Sequence, residues 1–72
     1  MIKVDTITNT DNVADTYKVA LFADTKAEVA TTPLSEIVGF PKDGLIEMGS
    51  SVITASGEFA FMKSDGSWNW IQ

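Results

Sequence analysis

The residues that could do chemistry are few, and their surroundings argue against each use. Ser50 and Ser51 carry hydroxyls, but the chain has no histidine to activate one. A Ser–Lys arrangement would need a larger fold than 72 residues can readily build. Asp11, Asp15 and Asp24 suggest calcium, yet they lack the D-x-[DN]-x-[DN]-G loop with its distal glutamate, and read as turn and cap residues. Glu36 and Glu47 have no sequence-level reason to converge as an acid/base pair. Gly44, Gly49, Gly57 and Gly66 stand singly at turns and form no phosphate cradle. With neither cysteine nor histidine, a structural zinc is nearly excluded. The expectation is a non-enzyme with no cofactor and no metal.

Trp68-Asn69-Trp70 is the one trio that could bind a small molecule, because indoles stack on sugar rings and an amide bonds hydroxyls. In an extended strand, however, the two tryptophans share a face and Asn69 points away. Each indole buries roughly 150–250 Å², and the chain has few other large side chains. Packing in a core or an interface is therefore the leading reading, with a carbohydrate platform as the alternative.

The elements that must position these residues are clearest at the C-terminal end. Residues 51–55 (SVITA), 58–63 (EFAFMK) and 67–71 (SWNWI) are short strands separated by Ser56–Gly57 and Asp65–Gly66. X-Gly pairs between alternating segments signal hairpins, so the stretch reads as a three-stranded antiparallel meander. Two-residue type I′ loops would set Thr54 opposite Phe59, Val52 opposite Phe61, Lys63 opposite Trp68 and Phe61 opposite Trp70. One face would then carry Val52, Thr54, Phe59, Phe61, Trp68 and Trp70. The other would carry Ile53, Ala60, Met62 and Ile71, beside Asn69 and Glu58. The interface or core candidates are thus Val52, Phe59, Phe61, Trp68 and Trp70 on one side and Ile53, Met62 and Ile71 on the other. Which side is core and which is interface is left open.

Upstream, residues 17–23 (YKVALFA) read as a strand, with a helix through Val13, Tyr17 and Leu21 as the rival. Lys26–Ala30 is expected to pair back onto that strand through the Asp24–Thr25 turn. Thr32 as N-cap, Pro33 at the first helical position, Glu36 in the first turn and Gly39 as a stop predict a short helix near 33–38. Residues 2–8 read as a Thr-rich strand, and the first ten or so as a candidate arm for pairing with a neighbouring chain. The fold class is mainly β: one small domain over residues 1–72, with an antiparallel sheet, further strands near 2–8 and 17–30, and one short helix.

Size and charge narrow the partners. A chain of 72 residues lies near the lower limit for a single core, and without disulfide or metal the remaining support is association. A hydrophobic content of 44% argues against disorder. The net charge of −5, with five lysines and no arginine, argues against nucleic acid. No run of about 18 apolar residues offers a membrane span, and MIKVDTITNT lacks the apolar core of a signal peptide. Synthesis in a cytoplasm is the default expectation.

The stretch GSSVITASGEFAFMKSDGSWNW, Gly49 to Trp70, resembles a segment of small structural proteins of tailed phages and prophages. Gly49-Ser50 opens a strand, Thr54 to Gly57 makes the turn, Phe59 to Met62 forms the apolar strand, and Asp65-Gly66 with Trp68 completes the pattern. ALFADTKAEV, Ala20 to Val29, is a fainter echo. The resemblance implies a virion component of head-decoration or fibre-base type, made in the bacterial cytoplasm. It implies action by assembly with itself, as a trimer, and with a larger structural protein such as a capsid protein. No functional residue transfers, because the pattern is one of turns and strands. The competing functions are a small acidic adaptor or inhibitor of a host protein, and a carbohydrate-binding module built on Trp68 and Trp70.

Overall fold

A computed structural model of the chain describes residues 1–9 and 15–71. Asp11 and Val13, named in the calcium and helix readings, lie outside the described residues. The strands are β1 (Ile2–Thr8), β2 (Thr16–Ala23), β3 (Leu45–Ile46), β4 (Ser51–Thr54), β5 (Phe59–Met62) and β6 (Trp68–Trp70). Between β2 and β3 lie one α-helix, α1 (Lys26–Thr31), and a 3₁₀ turn, Leu34–Glu36. The protein is mainly β, with a single sheet in the order β1-β2-β4-β5-β6 and β3 alongside β2.

The sheet is mixed, where an all-antiparallel one was expected. β1–β2, β4–β5 and β5–β6 run antiparallel, but β3 and β4 both run parallel to β2. A parallel neighbour requires a crossover, and the segment from Asp24 to Ser50 supplies it by passing over one face. Residues 2–8 lie within the sheet, paired to β2 from Ile2↔Ala23 to Thr8↔Lys18 with a bulge between Val4 and Thr6.

The crossover begins with a helix where a strand was expected. Thr25 caps α1 by accepting the Glu28 N–H at 3.3 Å. The Glu28 carboxylate accepts in return from the Asp24 N–H and the Thr25 hydroxyl, each at 3.4 Å. This reciprocal Thr-x-x-Glu arrangement satisfies donors that a helix start otherwise leaves open. The helix expected near 33–38 is reduced to the 3₁₀ turn, with Pro33 as its cap. It stops early because Val38 turns extended and pairs with β1, accepting from Val4 N–H at 2.8 Å and donating to Ile2 at 2.9 Å.

Both hairpins contain three loop residues, which corrects the expected register. Thr54 N–H donates to Glu58 at 2.9 Å and Gly57 N–H to Thr54 at 3.0 Å, so the loop is Ala55-Ser56-Gly57. Lys63 N–H donates to Ser67 at 2.8 Å and Gly66 N–H to Lys63 at 3.1 Å, enclosing Ser64-Asp65-Gly66. Gly57 and Gly66 have φ of 88° and 85°, whereas Ser56 and Asp65 do not have positive φ. That is the glycine-bulge form of a three-residue loop, since type I′ needs positive φ at both central residues. Val52 therefore faces Ala60, Ile53 faces Phe59, Ala60 faces Trp70 and Met62 faces Trp68. A one-residue shift moves side chains to the other side of a strand. Phe59 and Phe61 exchange sides with Ala60 and Met62.

The core lies between the sheet and the crossover. Ile2, Val19, Leu21, Ala23, Val52 and Ala60 from the sheet meet Ile37 and Phe40 from above, with Tyr17 packed edge-on to Phe40 at 6.0 Å. Where β3 gives way to β4 along the edge of β2, Ser50 closes the gap. Its buried hydroxyl accepts the Val19 N–H at 2.9 Å.

Ser50→Ala removes that acceptor inside the fold and should cost about 1–3 kcal/mol. Urea unfolding should show a lower midpoint at unchanged slope; an unchanged midpoint would mean that Val19 finds another acceptor. A second prediction concerns Asp65, whose carboxylate accepts from the Ser67 hydroxyl at 2.6 Å and the Ser67 N–H at 3.0 Å. These bonds, the hydroxyl's first, hold its pKa below the ordinary 3.8. A carboxylate with a lowered folded value contributes stability above its unfolded value, and loses it as pH falls through the folded one. Stability measured from neutral pH downward should therefore drop less steeply below pH 3.8 in Asp65→Asn than in the wild type.

Candidate interaction surface

The crossover covers only one face of the sheet. On the other, alternation along β2 places an exposed Lys18 and half-buried Ala20 and Phe22, and the pairing extends these positions into rows. Phe22 lies beside Ile53 and Ile53 beside Phe59, and Ile71 continues this row through its N–H bond to Phe59 at 2.8 Å. One step along the strands, Ala20 lies beside Ser51, Ser51 beside Phe61, and Phe61 beside Asn69. Ile53, Phe59, Phe61 and Ile71 are 47%, 38%, 37% and 57% exposed. These large apolar side chains lie adjacent rather than scattered and form one contiguous patch, the arrangement found where proteins meet other molecules. Strands β2, β4, β5 and β6 place no carboxylate on this face, although the chain carries ten acidic residues. Its charge comes from lysines, among them Lys3, whose Nζ lies 5.8 Å from the centre of the Phe22 ring.

The structure divides the eight candidate residues. Val52 and Met62 are buried on the covered side, where Trp68 and Trp70 also turn and are half-buried against the core. Ile53, Phe59, Phe61 and Ile71 stand on the open side, so the two phenylalanines are parted from the tryptophans they were expected to join. Phe22 and Ala20 also belong to the open surface, outside the eight candidates. The period-two pattern of YKVALFA carried the signal, since it places Lys18, Ala20 and Phe22 opposite Val19 and Leu21.

The tryptophans make a poor sugar platform. Lys26 Nζ stands 4.9 Å from the Trp70 ring centre, a cation–π contact on the face a sugar would need. Trp68 instead borders a shallow depression of about 440 Å³ with Leu34, Leu45, Ile46, Met62 and Gly66, and Asn69 points to the opposite side of the sheet.

The polar groups that the sequence offered are tied into the frame. Met1's amino group bonds Glu28 at 2.7 Å and Asp24 at 2.9 Å. Hydrogen bonds to Glu28 and then Asp24 raise its pKa above 8.0, and they pin the start of β1 beside α1. The Thr54 hydroxyl accepts the Glu58 N–H and donates to the Glu58 carboxylate, both at 3.1 Å. Among the described residues no group of three His, Cys, Asp or Glu side chains is placed to hold a metal ion, and no helix is long and apolar enough to cross a membrane. At the side of the sheet β6 is an edge strand, and its Trp68 and Trp70 backbone groups face outward, because Ser67 and Ile71 bond inward to β5.

No family model, curated protein or solved structure matches the chain.

The division of faces is testable on two neighbouring residues. Met62→Ala should cost about 2–4 kcal/mol, in the range of core truncations, whereas Phe61→Ala should change the stability of the isolated chain by less than about 1 kcal/mol. Chemical denaturation of dilute samples separates the two, and the reverse order would restore the two-residue loops.

Proposed function

We propose that the chain is a non-enzymatic assembly protein, a structural component of a phage or prophage particle of capsid-decoration or fibre-base type. It acts by contact with copies of itself and with a larger structural protein such as a capsid protein. The observation that carries this reading is the single-faced sheet: the chain covers one side with its own crossover and leaves Ile53, Phe59, Phe61 and Ile71 exposed on the other. Burial of such surface is the main favourable term in association, and a chain of 72 residues gains from it what its own small core cannot supply. The buried hydroxyls of Ser50 and Thr54 support the same reading, because both are spent on backbone N–H groups. The virion assignment is supported by the turn-and-strand pattern from Gly49 to Trp70.

Particles released on prophage induction from the strain that encodes the chain provide the test. After gradient purification and quantitative mass spectrometry, the chain should accompany the major capsid protein at a fixed ratio. Its absence from purified particles would overturn the reading, and its recovery bound to a host enzyme would replace it with the adaptor reading.

A further inference from the structure

The open face is built from two unlike rows, and their order points to its occupant. The row containing Phe22, Ile53, Phe59 and Ile71 is large throughout. The neighbouring row is small at Ala20 and Ser51, large at Phe61 and polar at Asn69. Consider a two-fold axis that runs across the strands midway between the rows. It lays the large row of one copy over the small row of another, at the same strand in each. Phe22 then sits over Ala20 of the partner subunit, Ile53 over Ser51 of the partner subunit, Phe59 against Phe61 of the partner subunit, and Ile71 over Asn69 of the partner subunit at the β6 edge. Every contact occurs twice, which is what an isologous interface requires.

From this complementarity we propose that the occupant of the open face is a second copy of the chain, packed sheet against sheet in a two-fold pair. The inference rests on the assembly reading above and specifies its first contact. Charge leaves room for this occupant: two copies of net charge −5 repel at a distance, but the strands from β2 to β6 bring no carboxylate to this face. Lys3, in line with Phe22, comes over Thr6 of the partner subunit, since Thr6 is in line with Ala20; lysine does not meet lysine. The area also suffices: at the exposures seen, the large side chains and their neighbours would hide roughly 500 Å² per copy, so about 1,000 Å² in the pair, the threshold for a specific association. Sheets packed this way sit about 10 Å apart with their side chains interleaved.

Analytical ultracentrifugation over a concentration series tests the pairing on the intact chain and two variants. The wild type should reach twice its 7.8 kDa mass. Ile53→Lys places a charge at the centre of the contact and should raise the dissociation constant at least ~100-fold. Ser51→Phe is the sharper probe, because it adds apolar surface but fills the space that Ile53 of the partner subunit needs. It should weaken the pair by ~10-fold or more, whereas a non-specifically sticky face would bind more tightly. Both residues point away from the core, so each variant should keep the wild-type circular dichroism; one that lost it would be replaced by Phe59→Ser, with the same weakening expected. A wild type that stays monomeric at millimolar concentration, a trimer, tighter association of Ser51→Phe, or association that survives Ile53→Lys through the β6 edge would each overturn the two-fold pair. Recovery of the chain in particles despite any of these results would leave the assembly reading standing, and a pair formed by a chain absent from particles would do the opposite.

Discussion

The three-residue loops that close on Gly57 and Gly66 set which way the side chains of β4, β5 and β6 point. With one glycine of positive φ closing each loop, the hairpins take three loop residues and the strands shift by one position from the two-residue alternative. The smaller members of β5, Ala60 and Met62, then turn toward the crossover, while Phe59 and Phe61 turn away. The cover over the sheet is thin. α1 has six residues and buries none of them, so Ile37 and Phe40 do most of the filling. Such a cover can close over Ala60, which is fully buried between Val52 and Trp70. It lacks the side chains to close over two phenylalanines as well. The turn glycines, the thin crossover and the open apolar face are therefore one arrangement seen at three places.

β2 is the strand on which this arrangement hangs, because both of its edges are used along its length. β1 occupies one edge, while the other is shared by β3 at Thr16 and Tyr17 and by β4 from Ala20 to Ala23. A strand that changes neighbour midway leaves a backbone donor at the join, and burying it unpaired would cost more than a hydrogen bond returns. Ser50 sits at that join with its hydroxyl on the Val19 N–H. Among the described residues no buried side-chain polar atom lacks a partner. A serine that the sequence offers as a possible nucleophile is thereby explained as a piece of sheet.

Much of this was legible in the residues, and the exceptions have specific causes. The three strands from Ser51 onward could be read from alternation and X-Gly punctuation, but Ser56–Gly57 and Asp65–Gly66 suit a two-residue or a three-residue loop equally well. Which length is used depends on the face the crossover meets, information that no local window contains. The helix at Lys26–Thr31 was legible in principle: Thr25 and Glu28 have the spacing of a capping box, and Lys-Ala-Glu favours helix. Its short apolar content invited a strand instead. The parallel entry of β4 follows from the path of residues 24–50 over the sheet, which propensity does not encode. On the open face Phe22 was legible from the period of β2, whereas its union with Ile53 and Phe59 required the corrected register.

The distribution of charge gives the two sides of the molecule different physics. The carboxylates of Glu28, Glu36, Asp43 and Glu47 belong to the crossover, and Glu58 faces the covered side with Thr54, whereas the open face of β2, β4, β5 and β6 has none. Repulsion between like-charged copies is weakened by salt over a distance of about 10 Å, so it keeps separate molecules apart more than it opposes groups already in contact. A carboxylate inside an apolar contact would be different, since it must be stripped of water without a partner. Keeping acidity out of the open rows therefore lets one small chain be strongly acidic and still retain a surface that can be dried. An ion-paired interface would draw its energy from charges that must be desolvated. Here the open rows are Phe, Ile, Ala, Ser and Asn69, bordered by Lys3 and Lys18, with no carboxylate from β2, β4, β5 or β6.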